Sequence, residues 1–229
     1  MKRFLGLLLL VVVCGCAKVP QGAGVANTRR VTFSFTMQNP ANPAFAYFIA
    51  IRPSNSVNPT DQGPVPVVAP PWGNGIVAGN VNYLISFDLS QPPQQQCVIY
   101  FFVDQNLINK QAIAVPINNT VSTDGRTLSC EVDLGQLTPP GSNAVATAQA
   151  YQSMQVNFLT QDVIPQGNTG GKIFDSLGDN RSGQELNTWL TIPLNTTGTY
   201  NNNSGIEVNG DCSDPALDLI DFNIQVSAP

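Results

Sequence analysis

Apolar and polar residues alternate along most of this chain. Over residues 30–37, Val31, Phe33, Phe35 and Met37 fall on one face, and Thr32, Ser34 and Thr36 on the other. Successive side chains of a strand point to opposite faces, so the pattern predicts a half-buried strand. Residues 44–52 (AFAYFIAIR) are apolar on both faces, which predicts a central strand. Further strands are predicted at 81–87, 97–103, 126–134, 154–159, 186–194 and 220–226, with a bulged strand within 108–117 and short ones at 199–201 and 206–208. The stretch 53–75 is rich in proline, which cannot donate to a ladder, and reads as a long loop or irregular edge. One Ala-rich segment, 142–151, predicts a short helix capped by Ser142.

This gives roughly nine to twelve short strands, at most one short helix, and turns rich in Pro, Gly and Asn. Such a pattern predicts an all-β fold, an antiparallel β-sandwich with two sheets packed through their apolar faces. A closed barrel is the alternative architecture. The chain has no repeat of the kind that builds solenoids or propellers.

The first residues break the pattern. Lys2 and Arg3 precede an uncharged run from Phe4 to Val13. As a helix that run spans about 15 Å, half a bilayer core, so it predicts a secretory signal and not a transmembrane span. Val13-Cys14-Gly15-Cys16 follows, and it resembles the lipobox of bacterial lipoproteins: aliphatic at −3, small at −1, cysteine at +1. Cys14 fits that frame less well, because Val13 would then stand at the position that must be small. The resemblance covers residues 1–17. It implies a cleaved signal at 1–15, a lipid-bearing Cys16 and a tether over 16–28, followed by one β-sandwich domain over 29–229. It also implies acylation by diacylglycerol and palmitate-like chains, and anchorage in a bacterial membrane. Each buried methylene contributes about 0.8 kcal/mol, so three chains hold far more firmly than one. Ala17 in place of Asp leans the address toward the outer membrane, facing periplasm or cell surface.

With Cys14 removed and Cys16 lipidated, Cys97, Cys130 and Cys212 remain. An exported context permits disulfides, and three cysteines predict one bridge and one free thiol. Cys97–Cys130, enclosing about 33 residues, is favoured over Cys97–Cys212 and Cys130–Cys212 because its separation is shortest.

Charge is uneven. Residues 161–229 hold two basic residues, Lys172 and Arg181, against nine acidic ones, and residues 17–160 are balanced. That excess argues against nucleic acid as a partner, which needs clustered Lys and Arg. The chain has no histidine, which removes Ser-His triads and imidazole metal sites. No P-loop, GxGxxG or SxxK frame is present. No enzymatic activity and no cofactor are expected, with calcium as the exception that two acidic loops allow. Asp175, Asp179 and Glu185 in the first loop, and Asp211 and Asp214 in the second, offer the hard oxygens calcium prefers. Neither loop has EF-hand spacing, and both also read as Asx turns. Together with Asp218 and Asp221, they would form one acidic rim if the fold brought both loops to the same end. Trp72, in the loop PPWGNG, is the best single candidate for stacking on a sugar ring, and Trp189 reads as outward-facing.

Three functions compete on these residues. The first is a non-enzymatic envelope or cell-surface lipoprotein with a structural or interaction role, its partners being the bilayer and an envelope protein or glycan. The second is a calcium-assisted carbohydrate-binding module, which requires converging acids beside an exposed aromatic. The third is a carboxylate-dependent envelope hydrolase, which requires an opposed Asp/Glu pair in a cleft.

Overall fold

The computed structural model describes residues 28–165, 167, 169–177 and 188–228. The signal, Cys16 and the tether as far as residue 27 lie outside the described residues, as do Asp179 and Glu185.

In chain order the strands begin with β1 (Arg30–Met37), β2 (Ala46–Ser54), β3 (Pro64–Pro66), β4 (Val77–Gly79) and β5 (Tyr83–Phe87). Then come β6 (Cys97–Phe102), β7 (Lys110–Ala114), β8 (Asn118–Val121) and β9 (Thr127–Asp133). A single short helix, α1 (Ala144–Ala150), precedes β10 (Ser153–Gln161), β11 (Phe174–Ser176), β12 (Leu190–Pro193), β13 (Gly198–Asn201) and β14 (Leu219–Val226). The five-stranded sheet has the order β13-β14-β1-β9-β8. The seven-stranded sheet has the order β11-β10-β2-β5-β6-β7, with β12 also on β10, and all these pairings are antiparallel.

The two sheets close on one core. Val31, Phe33, Phe35 and Met37 of β1 are fully buried, as are Tyr47, Ile49 and Ile51 of β2 and Met154, Val156 and Phe158 of β10. Aromatic contacts cross between the sheets. Phe35 meets Phe87 edge-on at 5.7 Å and Phe158 at 5.3 Å, and Phe158 stacks on Phe222 at 5.6 Å. Such pairs add to the burial term. Facing sheets with a shared interior make this a sandwich and not a closed barrel.

Three local predictions are corrected. The proline-rich stretch contains β3, which pairs with β4 just beyond it, and the pair lies outside both main sheets. Residues 206–208 form no strand, because the Asn202 side chain accepts from Glu207 N–H at 2.9 Å and donates to Glu207 O at 3.0 Å. That amide takes the place of a ladder partner. The cap of α1 is Asn143, whose Oδ1 accepts from Ala146 N–H at 3.1 Å, and Ser142 donates to Pro139 O instead.

β1 runs between two poles. At its start, Ser227 and Leu134 donate backbone N–H groups to Arg30 O and Arg29 O, so both ends of the described chain share that pole. At its end, Met37 pairs with Leu219, and Gln38 N–H donates to Asp218 O. The second acidic loop, with Asp175 bonded to Leu219 N–H, therefore sits at the far pole, about 25 Å away at the rise of an eight-residue strand.

Candidate functional site

The loop from Gly210 to Asp218 is built by its own aspartates. Asp214 Oδ1 accepts from Ala216 N–H at 2.9 Å, and its carbonyl accepts from the N–H groups of Leu217 and Asp218. Asp218 folds back into the loop. Its carboxylate accepts from Gly210 N–H at 3.0 and 3.1 Å and from Cys212 N–H at 3.1 Å.

The loop is bound to the sheet beneath it. Thr160 of β10 donates to Leu217 O at 2.6 Å. Tyr47 of β2 donates to Ala216 O at 3.2 Å and accepts from Asn42 N–H at 2.7 Å. Burial pushes the Tyr47 phenol well above its ordinary range, the Asn42 N–H opposes this, and the nearby Asp214 carboxylate adds to it.

Asp175 reaches the same place from β11. Its Oδ1 accepts from Ser176 N–H at 2.9 Å and its Oδ2 from Leu219 N–H at 2.7 Å. One carboxylate oxygen from each of Asp175, Asp211 and Asp218 lies within 4.8 Å of the others. Asp175 and Asp218 are fully buried and Asp211 is half-buried. Three like charges this close repel strongly in a poorly solvated site. The backbone donors offset part of that repulsion, and a bound cation would offset more. Oxygen-only ligands in this arrangement form a site capable of coordinating a metal such as calcium.

Of the residues the sequence proposed as ligands, Asp175 and Asp211 do converge. Asp214 is not part of the cluster, because its carboxylate caps its own turn, and Asp218 takes that place. The sequence signal for Asp218 was only its position in the second acidic run.

Trp72 is corrected outright. It is 3% exposed, and its loop lies over the outer face of the seven-stranded sheet. Lys172 Nζ sits 5.7 Å from its ring and 4.9 Å from that of Phe174, and donates to Gly75 O at 3.0 Å and Gln161 Oε1 at 2.9 Å. Trp72 thus anchors a loop and offers no ring face for a sugar. Trp189 packs against Gly63, where an added Cβ would stand 2.7 Å from the indole ring.

Cys97, Cys130 and Cys212 are buried thiols in the structure. Burial, and then the neighbouring Cys130 thiol, push the Cys97 thiol well above its ordinary value.

Two cavities among the described residues lie away from the cluster. One of about 300 Å³ is lined by Thr28, Arg29, Tyr151 and Asn195 among others. Another of about 400 Å³ is lined by Asp88, Tyr100 and a group of glutamines. Neither contains the opposed pair of carboxylates that a two-carboxylate hydrolase needs. Among the described residues, no helix is long and apolar enough to cross a membrane.

Comparison of the chain with protein-family models, with curated proteins and with solved structures gives no match. Fold and site by themselves define the class: an antiparallel β-sandwich domain without obvious catalytic machinery among the described residues, compatible with a structural or interaction role.

Proposed function

We propose that the protein is a non-enzymatic lipoprotein of the bacterial envelope, held by acyl chains on Cys16, whose sandwich domain works by contact and not by catalysis. The observation that carries this reading is the character of the Asp175–Asp211–Asp218 cluster. It is the one group of three or more metal-ligating side chains among the described residues. Two of its members are buried and bonded to backbone N–H groups, and none lines the two cavities described above. Carboxylates committed to backbone N–H groups in this way fix loops and suit a hard cation, which fits a contact role.

The polarity of the domain supports the address. Thr28 and the acidic cluster stand at opposite ends of β1. An anchor on the N-terminal side leaves the acidic pole facing away from the bilayer, free to meet a partner.

Two measurements test the reading. Mass spectrometry of the mature N-terminal peptide is expected to show acyl chains on Cys16, and Cys16→Ser is expected to release the protein from membranes while Cys14→Ser does not. An unmodified peptide beginning at Ala17 or later would sink the anchor. For the cluster, thermal unfolding is followed at fixed ionic strength in calcium, magnesium or chelator. A ligand that binds only the folded state stabilises it by RT ln(1 + [L]/Kd), about 2.7 kcal/mol at a hundredfold excess over Kd. A calcium-specific rise that is lost in Asp218→Asn supports a held cation. Equal midpoints leave the aspartates as loop formers.

A further inference from the structure

We infer that Cys97 and Cys130 are the two ends of a disulfide that staples the two sheets together, and that the bond is made before the sandwich closes. Cys97 is the first residue of β6 and pairs with Phe87 of β5 in the seven-stranded sheet. Cys130 is in the middle of β9 and pairs with Phe33 of β1 in the five-stranded sheet. Phe87 and Phe35, from β5 and β1, already touch across the interface at 5.7 Å. The cysteines occupy the next strand outward on each sheet, both pointing inward, at 0% and 1% exposure. Both side chains lie in the one apolar cluster between the sheets, and the Cys130 thiol adds to the burial that raises the Cys97 pKa.

The third thiol is placed elsewhere. Cys212 Sγ donates to Phe174 O of β11, at the opposite edge of the seven-stranded sheet. Four strand spacings separate β11 from β6, about 19 Å, beyond the 4.4–6.8 Å between Cα atoms that a disulfide allows. That separation rules out Cys97–Cys212, and the Phe35–Phe87 contact between the neighbouring strands favours Cys97–Cys130.

Burial sets the timing. Exchange needs a thiolate and access to a disulfide donor, and the closed core offers neither. In the open chain one cysteine loses its proton and attacks an exchanging disulfide R–S–S–R, releasing R–S⁻. The second, also deprotonated, then attacks the mixed disulfide and releases another R–S⁻. The two electrons reduce the donor to two thiols, and the two protons the cysteines give up balance them. The described dithiol is the reduced form, the one that persists if the chain folds in a reducing compartment. Formation in cells therefore rests on the exported address, but the geometry does not.

The test uses the full chain carrying Cys14→Ser and Cys16→Ser, unfolded and then refolded in a glutathione redox buffer. It is then alkylated in denaturant without reductant and mapped. The expected map has one linked peptide joining Cys97 to Cys130, with Cys212 alkylated. Alkylation of both Cys97 and Cys130, or Cys212 in a bridge, overturns the inference. Refolding in dithiothreitol should lower the thermal midpoint by on the order of 10 °C, given a closed loop of this length in a domain of this size. An unchanged midpoint overturns the staple. Added to the folded, oxidised protein, dithiothreitol should cleave the bond at a rate that levels off at the unfolding rate. A rate that stays proportional to reductant overturns the buried placement. A bridge that forms in the redox buffer but is missing from protein taken from exporting cells refutes the address and leaves the staple standing.

Discussion

The outward face of the five-stranded sheet meets water, and the outward face of the seven-stranded sheet over β10 and β2 meets the protein's own chain. β1 shows the first condition: its inward residues are fully buried and Thr32, Ser34 and Thr36 are half-exposed. β10 shows the second, with all nine residues buried although Ser153, Gln155, Asn157 and Gln161 are polar. Each polar side chain on that hidden face serves the loops above it. Ser153 donates to Ser56 O at 2.7 Å, Gln155 to Asp61 O at 3.1 Å, and Asn157 to Pro64 O and Thr188 O, both at 3.1 Å. A proline-rich loop lacks donors and cannot satisfy its carbonyls from within, so the strand supplies amides and hydroxyls in their place. Two sheets with the same alternation thus use their polar residues in opposite ways, one for solvation and one as internal fasteners.

The sharpest way to break this comparison is at Asn157. Its Nδ2 donates to Pro64 O and Thr188 O, with Leu177 O a longer contact at 3.4 Å, and its Oδ1 accepts from Leu177 N–H at 3.2 Å. Asn157→Ala leaves these groups buried and unpaired, and the expected loss is about 2–4 kcal/mol in urea unfolding. The matched change on the wet face, Ser34→Ala, removes a half-buried bond of 3.4 Å to Asn223 O and should cost about 0.5 kcal/mol. Equal losses would mean that something other than the polar row holds the cover down.

Two glycines sharpen the comparison at a smaller scale. Gly79, at the end of β4 in the cover, has φ +77°, and a Cβ there would stand 2.2 Å from Gly63 O. Gly125, in the turn between β8 and β9, has φ +73°, but its Cβ would meet only Pro40 Cβ at 3.3 Å. Left-handed strain alone costs about 1–2 kcal/mol, which is the loss expected for Gly125→Ala. Gly79→Ala adds a backbone collision and should cost about 2–3 kcal/mol. It should also open the cover to protease near residues 53–80, without a matching change in the five-stranded sheet. A Gly79→Ala protein no more sensitive than Gly125→Ala would mean the hairpin can shift freely and is not held by the sheet.

The same contrast explains what could be read from the sequence. β1, β9 and β14 were legible to within a residue or two, because one face is core and the other water, and period two reports that directly. β10 was legible as a strand, but alternation cannot tell a polar residue facing water from one facing a covering loop. Trp72 was misread for the same reason: a tryptophan between prolines and glycines looks like a loop tip, and this loop lies flat over the apolar patch of Phe48, Ile76, Leu84 and Leu159. In the acidic loops, Asp175 and Asp211 were identifiable by type, since carboxylates in a turn can take a cation. The choice between Asp214 and Asp218 depended on which one caps the turn and which folds back on Gly210 and Cys212. That is a matter of a few backbone angles, and composition carries no trace of it.

The smallest expected effect lies at the rim of the cover. Arg52 donates one nitrogen to Gln155 Oε1 at 2.8 Å and another to Asp61, whose own carbonyl accepts from Gln155. The five-stranded sheet has its counterpart in Arg30–Glu131 at 3.1 Å, on the wet face. Arg52 holds the Asp61 carboxyl below the usual carboxylate range, and slight desolvation opposes it. Between the folded and unfolded pKa values, the unfolded chain therefore binds more protons at Asp61, so stability rises with pH there. The contribution is complete above the unfolded value of about 4, and is lost as pH falls through the lower folded value. An exposed pair contributes little, so only a difference measurement will resolve it. Wild type and Asp61→Asn are unfolded in urea from pH 2 to 7 at low salt and again at high salt. The gap between them should be present near neutrality, close toward pH 2, and shrink in salt. A gap that is constant across pH would show that Asp61 matters to the cover through its backbone carbonyl alone, and that the hidden face is fastened by Gln155 without help from charge.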